Sequence, residues 1–318
     1  MRRRLVARLW QSLVVVFIVT TIGFFLIRAA PGDPFSYEGI SPAIRTHWRA
    51  QFGYDRPVAE QYVRYLTGIA RGQFGYALRQ GQPVSVVLAE AVPRTLLLAG
   101  VALALSVALG VIVGVLQAIH RGGWFDRLSS AVLLTLYSLP DFWGALMAML
   151  IFAYWWPVLP IGGIVEPVLH DYMTPWAATL DRLRHLVLPV GSLTLMIMAG
   201  ITRFQRAAML EVLPADYVRT ARAKGASEQR VIWHHALRTA LMPLTTLLGV
   251  MFPALLGGAL FVEKVFNWPG MGFVAANAIA GRDYDVVVAT VIIGSVMVVV
   301  GNLIADVLQA ALDPRVRE

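Results

Sequence analysis

The chain of 318 residues contains no cysteine. Disulfides, iron–sulfur clusters, thiolate metal sites and thiol nucleophiles are therefore excluded. Charge is scarce as well. Only 14% of residues are Asp, Glu, Lys or Arg, against about a quarter in an ordinary soluble domain. A Walker A loop, G-x-x-x-x-G-K-[ST], is missing. Its nearest approach, AKGAS at 223–227, is too short and puts lysine before glycine, so ATP hydrolysis by that route is excluded. There is no TVGYG filter of the potassium-channel type. The six histidines, at 47, 120, 170, 185, 234 and 235, have no metal-ligand spacing. His234 and His235 are adjacent, so on a helix they point about 100° apart.

What is present is apolar. The apolar share is 58% and the mean hydropathy is +0.65, which makes the bilayer the first solvent to consider. The net charge of +8 does not indicate nucleic acid, because the basic residues cluster at the ends of apolar runs, as the positive-inside rule requires. Six such runs are legible, at 9–27, 95–119, 128–156, 186–201, 241–262 and 286–308. The first would reach roughly 28 Å as a helix, enough to cross the hydrocarbon core. A cleavable signal peptide is the competing reading of 1–27. With the N-terminus inside, the inner segments carry four, two, seven and two Lys/Arg, and the two short outer loops carry two each. Eight more lie in 28–94, a segment long enough to escape the rule. The expectation is an all-α membrane protein with six spans and both termini cytoplasmic. Its parts are a tail and first helix (1–27), an extracytoplasmic segment (28–94), a five-helix core (95–310) containing a cytoplasmic loop (207–240), and a tail (311–318). Within 28–94, residues 42–52 and 57–71 read as short amphipathic helices.

Small residues at packing spacing mark the spans. Gly110 and Gly114 form G-x-x-x-G on the second, which reads as close helix packing. Gly257 and Gly258 interrupt the fifth. Pro140, Pro189 and Pro253 read as kinks or hinges, and Pro140 falls inside an overlong third span. Asp141 follows it at membrane depth, where a carboxylate is costly and hints at a transport pathway. The alternative is a carboxylate facing a polar cavity or a neighbouring subunit without touching cargo. Asp306 reads as a boundary residue.

The most polar stretch between spans is ARAKGASEQRVIWHHALRTALMP, residues 221–243. Asp216 can cap a helix running through Tyr217, Val218 and Ala221 to Lys224. Gly225 fits the position after its end, where a left-handed backbone is needed. Ser227 can cap a second helix, with Glu228 in its first turn. Val231, Ile232, His235 and Leu237 would form its apolar strip. Arg219, Arg222, Lys224, Arg230 and Arg238 line the result. A DNA-binding helix-turn-helix is a rival reading, opposed by the tethering of both ends to spans. An inner-leaflet anchor and a docking element for a cytoplasmic partner both remain open.

ADYVRTARAKG followed by HHALRTALMP resembles the cytoplasmic EAA loop of ABC-importer permeases of the dipeptide/oligopeptide/nickel subfamily. The resemblance extends to LIRAAPGDPF, FGYALRQGQPVSVVLAEAVPRTLLL, EKVFNWPGMG and LDPRVR. There are departures: the Glu-Ala-Ala triplet is Arg219-Thr220-Ala221, and the later I-x-L-P falls on His235-Ala236-Leu237-Arg238, keeping Leu237 but not the proline. The resemblance implies a type I importer permease in a bacterial inner membrane, forming half of a pathway with a second permease. It implies two cytoplasmic ATPase subunits, which would hold ATP and magnesium, and an extracytoplasmic binding protein. No cofactor and no nucleic acid would bind this chain. The coupling residues it implies are Asp216, Tyr217, Ala221, Arg222, Ala223, Lys224, Gly225, Ser227, Val231, His235, Leu237 and Arg238. Di- or oligopeptides are the implied cargo, with nickel chelates, glutathione or oligosaccharides as alternatives. A gradient-driven transporter acting alone and a membrane scaffold or insertase are the rival classes.

Overall fold

The computed structural model describes residues 2–29, 46, 50 and 55–312. The expected helix at 42–52, the expected tail at 313–318, and the side chains of Pro253, Gly257, Gly258 and Asp306 lie outside that description. The helices are α1 (Arg2–Ala29), α2 (Val58–Ala70), α3 (Val84–Ile119), α4 (Trp124–Ser138), α5 (Asp141–Met149), α6 (Pro175–Val212), α7 (Asp216–Ala223), α8 (Glu228–Arg230), α9 (Leu237–Ala240), α10 (Met242–Val265), α11 (Met271–Gly281) and α12 (Tyr284–Leu312). Turns of π-helix at Leu150–Trp155 and Val231–Ala236 extend α5 and join α8 to α9. Among the described residues α3, α6 and α12 are each long and apolar enough to cross a membrane. The bent pair α4–α5 makes a fourth if it is one span. Trp10–Leu26 of α1 forms a shorter apolar segment.

Two compact units divide the chain: 1–93 with 273–299, and 94–272 with 300–318. In the first, α1 and α2 share an aromatic cluster. The Phe24 ring lies 5.2 Å from those of both Tyr62 and Tyr65, and Thr21 Oγ1 is 2.8 Å from the Tyr62 hydroxyl. A two-stranded antiparallel hairpin, β1 (Tyr76–Ala77) with β2 (Gln82–Pro83), pairs Tyr76 with Pro83 and Ala77 with Gln82. The sequence does not predict it, because two-residue strands carry no periodicity. Its turn signals are glycines: Gly75 and Gly81 both have positive φ, +90° and +66°. Asp285 accepts a hydrogen bond from the Tyr76 amide at 3.2 Å. A Cβ on Gly75 would overlap that carboxylate.

In the second unit α3 and α6 pack backbone against side chain. A Cβ on Gly110 would come within 2.8 Å of Ile201 Cγ2, and one on Gly114 within 2.8 Å of the Thr202 carbonyl. The G-x-x-x-G pair is therefore a helix-packing device. The expected third span is broken. Leu139 is extended (ψ 143°) ahead of Pro140, as the residue before proline prefers. The pair α4–α5 then bends by 106°. Helix α6, the expected fourth span, begins earlier than expected, at Pro175 rather than 186, with Pro175 in the first turn and Thr174 capping Ala177 N–H at 3.4 Å. The loop before it is tied down by Asp181, which accepts from the Glu166 amide at 2.9 Å and sits 2.7 Å from His170 Nδ1.

Two further polar ties hold this unit. Arg206 of α6 makes a two-pronged ion pair with Asp126 at the start of α4, both contacts 2.8 Å. Asp126 is buried and also accepts from the Gly122 amide at 2.9 Å. The EKVFNWPGMG stretch folds around buried Glu263. Thr95 Oγ1 donates to Glu263 Oε1 at 2.6 Å and accepts from the Met271 amide at 2.8 Å. A Cβ on Gly270 would overlap Glu263 Oε1, so glycine is required there by space alone. Phe266 and Trp268 then join Leu98, Leu188 and Val262 in one apolar core.

Candidate functional site

The polar stretch after α6 turns a corner between two short helices. α7 ends at Ala223, Lys224 closes it, and Gly225 adopts φ +81°. The Gly225 amide bonds to the Arg222 carbonyl at 2.9 Å and the Ala226 amide to the Ala221 carbonyl at 3.2 Å. This pair of bonds is the Schellman motif. Its usual apolar contact is supplied by half-buried Ala221 and Ala226, both packed on the same core. Across the corner Arg222 Nε donates to Glu228 Oε1 at 2.8 Å, between exposed side chains.

Two local expectations are corrected. Asp216 does not cap α7. Ala215 occupies the cap conformation (ψ 146°) without a side-chain bond, and Asp216 is the first helical residue. Its charge still lies in the first turn, where the helix dipole favours it. Ser227 does hold the cap position of α8, but its hydroxyl makes no cap bond. The second helix is not uniform either. It is α-helical only at Glu228–Arg230, widens into a π turn over Val231–Ala236 and resumes as α9. The wide i→i+5 turn lets Val231 and Ala236, five residues apart, share the buried side.

The corner is fixed to the long helices by apolar packing. Val218 of α7, Val231 and Ala236 of the π turn, Ala240 of α9 and Leu244 of α10 are buried in one cluster. Val111, Val115 and Ala118 of α3 and Ile201 and Met209 of α6 complete it. Each fully buried Val contributes roughly 1.5–3 kcal/mol. The corner is therefore packed onto the ends of three long helices.

Of the residues singled out from sequence, Val231 is buried, and Ala221, His235 and Leu237 are half-buried. Asp216, Tyr217, Arg222, Ala223, Lys224, Gly225, Ser227 and Arg238 are exposed. Tyr217 (45%) and Trp233 (42%) present large rings to the outside. Sequence reasoning missed Trp233. An exposed aromatic among basic residues was its only signal. Asp141 lies apart from the corner, in the first turn of α5.

Long apolar helices carrying a basic helical corner define a polytopic membrane protein. The family model "Binding-protein-dependent transport system inner membrane component" matches residues 106–318, and the N-terminal model of such membrane components matches residues 1–99. The chain belongs to this family and is a multi-pass inner-membrane transport subunit. It is similar to the oligopeptide transport system permease AppB of Bacillus subtilis (strain 168), 37% identical over 98% of both chains. It is also similar to the dipeptide transport system permease DppB of Escherichia coli (strain K12), 36% identical over 94% of both. The oligopeptide transport system permease OppB of Haemophilus influenzae (strain ATCC 51907 / DSM 11121 / KW20 / Rd) is 36% identical over 98% of this chain and 97% of its own.

Proposed function

We propose that this chain is one half of the membrane pathway of an ATP-driven, binding-protein-dependent importer of di- or oligopeptides, and that its corner at 216–238 receives an ATPase subunit. The observation that carries the coupling role is the cluster joining Val218, Val231 and Ala236 to α3, α6 and α10. A push on the exposed face, on Tyr217, Arg222 or Trp233, is delivered to helix ends as a rigid-body displacement rather than absorbed in a loop. ATPase closure then shifts the bundle between its inward-open and outward-open states. The partners are a second permease, two cytoplasmic ATPases holding ATP and magnesium, and a binding protein facing 28–94 and 263–284. The chain binds no cofactor of its own. It crosses the membrane six times with both termini in the cytoplasm, as the Lys/Arg bias supports. Peptide cargo is supported by the named activities of the three relatives.

The test is reconstitution. With both permeases, the ATPases and a loaded binding protein in proteoliposomes, peptide uptake should require ATP. Gradient-driven uptake by this chain without ATPase would refute the proposal. Nickel-chelate, glutathione or oligosaccharide binding by the partner protein, with no peptide bound, would replace the cargo.

A further inference from the structure

The 106° break between α4 and α5 opens a cavity of about 380 Å³, lined by Leu136 and Tyr137 before the break, Asp141 after it, and residues of α6 and α10 such as Met196 and Met251. That volume is in the range of small-ligand sites, roughly 300–1,000 Å³. The lining is apolar except for Asp141 and the Tyr137 phenol. Asp141 is exposed and borders this space. Its direction is fixed by its neighbour one turn on: a Cβ on Gly144 would lie 2.5 Å from Met196 Cε. Residues three apart share a helix face, so Asp141 and Gly144 both face α6. A nearby cation is Arg203, whose guanidinium sits 6.0 Å from the Tyr137 ring centre and lines a different cavity with Gln117 and Thr202. A carboxylate in an apolar membrane cavity is costly, and Asp141 serves here as its charged element. Broken helices are where membrane carriers build cargo sites.

We propose that Asp141 makes this cavity a cation-selective station on the transport path, taking the ammonium group of the cargo. The cargo half of this statement rests on the importer reading given above. The alternative is that Asp141 merely stabilises the first turn of α5 through the helix dipole.

This chain has no native cysteine, which permits a direct test in the full transporter assembled with partners whose cysteines are replaced. Met196→Cys places a thiol in the cavity wall. Its rates of reaction with a cationic and an anionic methanethiosulfonate reagent give a charge ratio. Asp141→Asn should lower that ratio about tenfold, as removal of a unit charge at short range in a partly polar cavity requires. Asp141→Glu should restore it. An unchanged ratio, or a thiol that neither reagent reaches, overturns the proposal. If Asp141→Asn fails to insert, Asp141→Ser takes its place as the neutral variant and is compared with Asp141→Glu under the same criterion. The second arm measures uptake of trialanine from saturated binding protein, expected to fall about tenfold in Asp141→Asn. Uptake within twofold of the parent overturns the cargo role of Asp141. No peptide uptake by the parent refutes the peptide reading instead, and leaves the charge ratio to judge the cavity.

Discussion

Replacing Gly225 isolates the backbone geometry of the corner. Its φ is +81°, and a Cβ built there would meet nothing within 4 Å. Steric clash therefore contributes nothing, and the whole cost is conformational. An unbranched L-residue held in the left-handed region loses about 1–2 kcal/mol. Asparagine loses less, because its side chain tolerates that region. Valine loses more, since a β-branched residue there is a true outlier. The chain can escape the strain only by opening the corner, which breaks the bonds of 2.9 and 3.2 Å from the Gly225 and Ala226 amides. A loss of about 1–2 kcal/mol lowers the closed-to-open ratio of the corner roughly five- to thirtyfold. The anchors Val218 and Val231 lie on opposite sides of the glycine and are both fully buried, so the bundle itself stays intact. The expected order of ATPase co-purification and of ATP-driven uptake is Gly, Asn, Ala, Val. Membrane insertion should be equal in all four. Gly225→Val with normal ATPase stoichiometry and normal uptake would refute the reasoning, and so would Gly225→Asn behaving as badly as Gly225→Val.

Other substitutions probe the packing. Gly114→Val should sharply lower the yield and melting temperature of the detergent-solubilised complex, because its Cβ meets the Thr202 backbone at 2.8 Å, whereas Gly191→Ala, with nothing within 4 Å, should not. Arg206→Leu strands the buried Asp126 carboxylate. Its cost should approach the about 3–5 kcal/mol of a broken buried pair, reduced because 30% of the Arg206 side chain is exposed. The double change Asp126→Leu with Arg206→Leu should melt higher than Arg206→Leu alone. Thr95→Val removes the donor to Glu263 Oε1 and the acceptor for the Met271 amide, and the loss of these buried hydrogen bonds should cost about 1–3 kcal/mol. Thr95→Ser should retain most of the stability, measured by the same thermal assay.

Much of the site could be read in the sequence because it depends on local rules. Gly225 after a helical run predicts a left-handed stop, and the charge of the stretch marks it as polar without any tertiary knowledge. The cap positions were less legible. Ala215 rather than Asp216 takes the extended conformation, and the Ser227 hydroxyl forms no cap bond. A favourable residue type does not itself decide which neighbour bends. The π turn was invisible because its reason is the burial of Val231 and Ala236 together, a demand made by α3 and α6 from far away in the chain.

By itself, the sequence determined the solvent, the helical character and the exclusion of thiol and Walker-type chemistry, since composition and periodicity act through the bilayer on each segment alone. It also determined where a proline must disturb the third run. Only the tertiary structure decided that the disturbance is a 106° break bordering a cavity with Asp141 on its wall. A proline forbids a straight helix but does not choose the angle. That choice belongs to the residues packed against both halves, among them Met196 over Gly144.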